Sequence, residues 1–215
     1  MTNLKFRALL LLLGLLPFLC EGQQRFKAGI IAGLTASQID GDLSAGYNKL
    51  GLQAGLRGIA ILGARTEGSI EFLYAQRGCQ SDLIRDEFAP YFSLTLNYLE
   101  IPVQFHYKDW LIEGEDESKD YYKVSFNAGF SYARFMSYKT VDETSTVSLI
   151  VPNFLKKDDV SLLLGASFFA TRHIGISLRY VRSIGLIYNP EKWNPAPYSR
   201  GWNAHSLYFQ LAYLF

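Results

Sequence analysis

The sequence predicts an all-β protein: an eight-stranded antiparallel up-and-down transmembrane β-barrel with long external loops and short periplasmic turns. Three observations predict it. Side-chain character alternates with a period of two through eight successive segments, which is the period of a strand and not of a helix. The connections between those segments alternate long and short. Past a short N-terminal leader, no apolar run approaches the length needed to cross a bilayer as a helix, about 20 residues. The chain has 215 residues, 49% of them hydrophobic and 15% aromatic, which suits one domain and excludes a disordered chain.

The leader comes first. Lys5 and Arg7 precede an apolar run from Ala8 to Leu19, too short to span as a helix but suited to the core of a secretory signal. Residues 1–22 are therefore expected to be a signal peptide, leaving 23–215 as the barrel domain. A rival reading has Cys20 acylated; Leu19 sits just before it, where a small residue is expected. With Cys20 removed, Cys79 stands alone and no intramolecular disulfide is possible. Removing Lys5, Arg7 and Glu21 takes the 21 cations and 20 anions to 19 of each. A neutral mature chain is not built to steer nucleic acid or any charged partner by net charge.

The strands follow in order. Phe26–Leu34 sets Phe26, Ala28, Ile30 and Ala32 against Lys27, Gly29, Ile31 and Gly33. Leu50–Ile61 opposes leucines to Gln53 and Arg57, and Thr66–Arg77 opposes Ile70, Phe72 and Tyr74 to Glu67, Ser69 and Glu71. Phe92–Lys108 carries Leu99, Ile101, Val103, Phe105 and Tyr107 against Glu100, Gln104 and His106. Tyr121–Met136 places Tyr122, Val124, Phe126, Ala128 and Phe130 against Lys123, Ser125, Asn127 and Gly129. Val160–Thr171 alternates poorly, with apolar residues on both faces. Ile174–Arg182 opposes Ile174, Ile176, Leu178 and Tyr180 to Ser177 and Arg179. Ala204–Phe215 sets Leu207, Phe209, Leu211, Tyr213 and Phe215 against Ser206, Tyr208 and Gln210.

Thr35–Lys49, Gly78–Tyr91, Ser137–Asp159 and Ser183–Asn203 are long and polar, whereas Leu62–Arg65 and Arg172–His173 are short. External loops and tight periplasmic turns alternate in this way in a transmembrane barrel. Asp109–Asp120 breaks the rule: it falls where a short turn belongs and holds Glu113, Glu115, Asp116, Glu117 and Asp120. No calcium-loop spacing is present there, so a solvated acidic turn is the expectation, with a cation site or basic contact as the alternative.

In hydrocarbon every backbone amide and carbonyl must pair within the protein, so a chain without a spanning helix must close into a barrel. A strand needs about 9–11 residues to cross, and eight strands enclose an interior just wide enough for side chains to fill. The second face of each strand, rich in Gly, Ser and Gln with a few charges of both signs, is thus expected to be the interior. Lys27, Arg57, Lys123 and Arg179 would pair there with Glu67, Glu71 and Glu100, since an unpaired buried charge costs several kcal/mol. Tyr107, Trp110, Tyr121, Tyr122, Tyr213 and Phe215 would form one interfacial girdle; Tyr91, Phe92, Phe135, Tyr138, Tyr188 and Trp202 would form the other. A soluble eight-stranded small-ligand-binding barrel alternates as well, with its apolar face inward, and is the alternative.

The final alternating set, Leu207, Phe209, Leu211, Tyr213 and the terminal Phe215, resembles the signal that the barrel-insertion machinery reads. Phe26–Lys27–Ala28–Gly29, Phe72–Leu73–Tyr74–Ala75–Gln76–Arg77–Gly78 and above all Tyr98–Leu99–Glu100–Ile101–Pro102–Val103 resemble, in order, the PorT-like outer-membrane β-barrel family. That resemblance spans about residues 26–215. It implies the cell outer membrane as location, outer-membrane lipid as surroundings, and contact with components of the type IX protein secretion route. Pro102, mid-strand and unable to donate to a ladder, is expected to mark a bulge with Glu100 turned inward beside it.

Catalytic machinery is not expected. His106, His173 and His205 are the only histidines, and His205 and Ser206, being adjacent on a strand, point to opposite faces. Cys79 and the histidines lack metal-ligand spacing, and Gly55, Gly58 and Gly63 do not follow a nucleotide fingerprint. No cofactor, metal or nucleic acid is implied. The expected role is non-enzymatic, structural or partner-binding, accessory to type IX secretion; a lipid-modifying barrel enzyme is the remote alternative.

Overall fold

Each alternating segment forms a strand: β1 Phe26–Asp40, β2 Lys49–Ile61, β3 Thr66–Gln80, β4 Phe92–Ile112, β5 Tyr121–Asp142, β6 Asp158–Phe169, β7 Ile174–Ser183 and β8 Asn203–Leu214. The computed structural model describes residues 25–41, 46–81, 91–114, 120–142, 155–192 and 200–215. The expected signal peptide with Cys20, and the acidic residues Glu115, Asp116 and Glu117, lie outside the described residues. Sequence neighbours pair antiparallel in register, and β8 returns to β1, from Gly29↔Leu214 through Asp40↔Asn203, to close the barrel. No helix among the described residues is long and apolar enough to cross a membrane.

The strands run further at their outer ends than their apolar alternation extends. β1 continues to Asp40, β3 to Gln80 and β5 to Asp142, into segments expected as loops. In β1 the inward alternation goes on through Thr35, Ser37 and Ile39, all buried, while the outward face turns polar at Gln38 and Asp40. Ladder pairing and a greasy outer face are separate properties, and only the second stops at the edge of the hydrocarbon. β6 ends at Phe169, two residues early, because Ala170 and Thr171 donate to the Ile174 carbonyl and form the tight turn into β7.

Pro102 does not mark a bulge. The β3–β4 register is the same on either side of it, Ile70↔Val103 and Leu73↔Glu100, and Pro102 pairs across β5 with Ser131. The irregularity lies upstream, where Asn97↔Ser137 gives way to Tyr98↔Phe135 and Met136 is the extra residue. Glu100 is nonetheless inward and fully buried, because plain alternation along β4 puts it there. At Gly33 a Cβ would stand 2.0 Å from the Phe209 carbonyl oxygen, so the β1–β8 seam closes only over a residue without a side chain.

The outer wall is apolar and the inside polar. Ile30, Leu34, Leu52, Leu56, Ile70, Phe72, Val103, Phe105, Phe126, Phe130, Leu162, Leu164, Ile176, Leu178, Phe209 and Leu211 are exposed around the circumference. Gln53, Arg57, Ser69, Glu71, Arg77, Glu100, Gln104, Asn127, Ser131, Arg179, Ser206 and Gln210 are buried within it. β6, which reads as apolar on both faces, follows the same rule: Val160, Leu162 and Leu164 face out, while Leu163 turns inward onto Val181 and Tyr208.

The external end is closed by apolar packing. Ile39, Cys79, Leu94, Leu96, Tyr98, Ala133 and Ala204 from the strands meet Ile187, Tyr188 and Trp202 from the β7–β8 connection, with Phe92, Phe135 and Leu155 packed against them. Tyr188 and Trp202, expected in an interfacial girdle, are therefore buried in the mouth of the barrel. Trp202 donates its amide to the Tyr188 carbonyl, and Lys156 and Ile187 donate to the Ile187 and Trp202 carbonyls, so the connection folds inward as a ribbon. Folding back hides two large rings from water that would otherwise wet them above the bilayer.

Candidate functional site

The polar lumen contains two charge clusters, stacked between the apolar stopper and the periplasmic mouth. In the lower one, Arg57 stands directly across the β2–β3 ladder from Glu71, and its Nε donates to Glu71 Oε1 at 2.7 Å. Arg179, reaching across the barrel from β7, donates Nη1 to Oε2 at 2.8 Å and Nη2 to Oε1 at 2.9 Å. The fork geometry is that of a bidentate guanidinium–carboxylate pair. Room for Arg179 comes from Gly165 beside it on β6, where a Cβ would sit 2.7 Å from Arg179 Cγ and 2.9 Å from Asn127 Oδ1. All three charged groups are buried.

The upper cluster centres on Arg77. Its Nε lies 2.6 Å from the Tyr208 hydroxyl and 2.7 Å from Glu100 Oε1, and its Nη1 donates to Asp159 Oδ2 at 3.1 Å. Tyr208 in turn donates to Glu100 Oε1 at 2.8 Å, while Ser161 and Ser183 donate to Asp159 at 2.9 and 2.8 Å. The Arg77 guanidinium also lies over the Tyr98 and Tyr208 rings, 5.4 and 5.8 Å from their centroids. Between them the clusters bury three guanidinium cations and three carboxylates, so the charge taken out of water balances. Gln53–Gln210, Gln104–Asn127 and Ser167–Ser177 hydrogen bonds fill the spaces between.

Of the charged residues singled out from the sequence, Arg57, Glu71 and Arg179 meet in one cluster, and Glu100 lies in the other. Lys27 and Glu67 lie lower, at the periplasmic mouth, 3.9 Å apart, where Lys108 holds Glu67 more closely at 2.7 Å. Lys123 is a correction. Its ammonium makes no ion pair with a described carboxylate and lies 4.8 Å from the Trp110 ring centroid and 5.4 Å from that of the outward-facing Phe168. Trp110 lies opposite Lys123 on β4, between the Asp109↔Val124 and Leu111↔Tyr122 pairs, and with φ +60° it is exposed, which gives the ammonium an aromatic surface in place of a carboxylate. Arg77, Asp159, Tyr208 and Lys108 are members that the sequence reading missed. Arg77 and Lys108 are the last residues of their expected strands, Asp159 closes the expected loop Ser137–Asp159, and Tyr208 lies on the expected interior face without an assigned partner.

Below the clusters the lumen opens into a vestibule of about 350 Å³, lined by Lys27, Glu67, Lys108, Tyr122, Arg172 and His173 among others. The chain terminus is stitched beside it: Phe215 donates its amide to the Ala28 carbonyl and Leu214 to that of His173, with the His173 and Tyr213 rings stacked at 5.9 Å. Phe209, Leu211, Tyr213 and Phe215 form an outward exposed row, with Leu207 half-buried above them.

Two histidines gain partners that sequence adjacency did not suggest. His106 Nε2 is 2.7 Å from Ser69 Oγ across the β3–β4 ladder, and both residues are buried. In the β3–β4 ladder Ser69 faces Gln104 and His106 faces Glu67, so the pair is a diagonal one between polar positions of the same face. His205 projects outward at the external rim, where its ring meets the Tyr47 hydroxyl at 2.8 Å and Asp40 Oδ1 at 3.1 Å, tying the β1–β2 connection to β8. Among the described residues no cluster of three or more His, Cys, Asp or Glu could hold a metal ion.

A family model described as outer membrane protein beta-barrel domain matches residues 21–189. Among solved structures, the chain resembles Ail, the attachment invasion locus protein of Yersinia pestis, at 12% identity over 89% of this chain and 100% of that one, with TM-score 0.44. It resembles outer membrane protein OprG from Pseudomonas aeruginosa at 12% identity over 90% and 98% of the two chains, also with TM-score 0.44. Neisserial surface protein A matches at 11% identity over 91% and 100%, with TM-score 0.42. Comparison with curated protein sequences returns no match.

Proposed function

The chain belongs to the outer membrane protein β-barrel domain family and lies in the outer membrane, and from that premise we propose that it is a barrel with a filled lumen that acts through its two ends. It is neither a channel nor an enzyme on this reading. The observation that carries it is the filling: Arg57, Glu71, Arg77, Glu100, Arg179 and Tyr208 are all buried inside, under a stopper built on Tyr188 and Trp202. A lumen of paired charges in a hydrocarbon-wrapped wall holds its side chains in place, because withdrawing one partner strands the other. What remains to meet partners is the external rim with its connections and the charged periplasmic vestibule.

The finer reading is an accessory role in type IX protein secretion, supported by the likeness of Tyr98–Leu99–Glu100–Ile101–Pro102–Val103 to the PorT-like pattern. On this account the vestibule, with Lys27, Glu67, Lys108 and Arg172 at its edge, is where periplasmic components of that route dock. The outward row ending in Phe215 serves the insertion machinery during assembly.

Two experiments test this. Purified protein in planar bilayers is expected to give no steady open channel; a stable conductance would end the filled-lumen reading. Deletion of the gene is expected to lower the amount of exported protein at the cell surface, with cargo accumulating in the periplasm. An unchanged surface proteome would remove the secretion role and leave the structural one.

A further inference from the structure

On the outer wall the lipid-facing side chains leave a shallow groove of about 610 Å³ across β5 to β8 and β1, within the volume range of about 300–1,000 Å³ that ligand pockets occupy. Its floor is formed where Ala166 sits between Leu164 and Phe168, and Ala32 between Ile30 and Leu34: two small residues in rows of large ones. Val124 and Phe168, near the periplasmic ends of their strands, begin the groove, and Phe209 and Leu34 end it toward the middle of the wall. It is a track that runs from the periplasmic interface into the hydrocarbon.

At the interfacial end stands a cation outside both buried charge clusters. Lys123 lies against the ring of Phe168, a groove wall, and against Trp110. Trp110 is exposed and holds φ +60°, a conformation that costs a bulky residue about 1–3 kcal/mol and that tends to persist where a site needs it. An ammonium on an aromatic shelf at the membrane surface, with no described carboxylate paired to it, is complementary to a phosphate. The periplasmic leaflet against which this end of the barrel lies offers that phosphate joined to an acyl chain.

We propose that this groove is a specific site for one glycerophospholipid of the periplasmic leaflet, with its phosphate on Lys123 beside Trp110 and one acyl chain laid over Ala166 and Ala32 between Phe168 and Phe209. The site is on the outer wall and independent of any role of the lumen or the vestibule.

The test is native mass spectrometry of the detergent-solubilised barrel titrated with phosphatidylglycerol, and separately with diacylglycerol, which has the chains without the phosphate. The wild type is expected to retain one phosphatidylglycerol. Lys123→Gln is expected to weaken that retention about tenfold, the worth of a charge-assisted contact, while leaving diacylglycerol unaffected. Ala166→Phe, which fills the floor, is expected to weaken both lipids, whereas Ala54→Phe on the outer face of β2 changes neither. Heat-modified gel migration of each variant reports whether the barrel has closed, and Lys123→Gln at the interface keeps the test open if Ala166→Phe does not fold. Equal retention by wild type and Lys123→Gln, or diacylglycerol bound as tightly as phosphatidylglycerol by the wild type, would overturn the proposal.

Discussion

Glu71 receives three charge-assisted hydrogen bonds from two arginines in the middle of the wall, where no water-filled exterior screens them. Glu71→Gln leaves two buried guanidinium groups facing an amide, and is expected to lower stability by about 3–5 kcal/mol in urea unfolding from detergent or bilayer. The simultaneous change Arg57→Met, Glu71→Leu and Arg179→Met removes cations and anion together and is expected to recover most of that loss, since a packed apolar replacement for a buried ion cluster is often neutral. A single variant as stable as the wild type would show that the cluster does not hold the lumen. Alternation alone was enough to place Arg57, Glu71 and Arg179 on one face, because each lies well inside a strand where the period is unbroken. It did not find the surroundings of Lys123, whose ammonium lies over the Trp110 and Phe168 rings, because a tryptophan in the left-handed region carries no signature in sequence.

At the scale of the strand, closure decides between tolerated and forbidden glycine replacements. Gly33→Val would push a Cβ to within 2.0 Å of the Phe209 carbonyl oxygen on β8 and is expected to prevent the β1–β8 seam from forming, so the heat-modified form is lost. Gly58→Val on β2, where the nearest atom would be 3.8 Å away, is expected to fold normally. Equal behaviour of the two would contradict the register at the seam. The strand cores were legible because apolar alternation marks them; their outer ends were not, since pairing from Asp40, Gln80 and Asp142 continues past the point where the outer face turns polar. The stopper was hidden for a related reason. Tyr188 and Trp202 in a polar connection look like interfacial rings, and only the inward fold of that connection against Leu94, Leu96 and Tyr98 buries them. Trp202→Ala is expected to destabilise by about 3–5 kcal/mol, the loss of a fully packed core ring, where a girdle tryptophan would cost much less; unfolding monitored by tryptophan fluorescence checks it.

For the whole molecule, one arrangement organises everything else. Greasy side chains cover the outside, paired charges fill the inside, and each end has its own closure or opening. A closed ladder satisfies the backbone without an edge, which is why strands can rest in hydrocarbon at all. The most direct measurement is nitroxide scanning along β7 in a Cys79→Ser background, with Ile176, Ser177, Leu178 and Arg179 each replaced by a spin-labelled cysteine in reconstituted bilayers. The outward positions Ile176 and Leu178 are predicted to collide readily with dissolved oxygen and hardly at all with a water-soluble nickel chelate, while Ser177 and Arg179 are shielded from both. Strong collision with the nickel chelate at Ile176 and Leu178 would mean that bulk water wets the apolar wall, and the membrane-embedded barrel would be wrong.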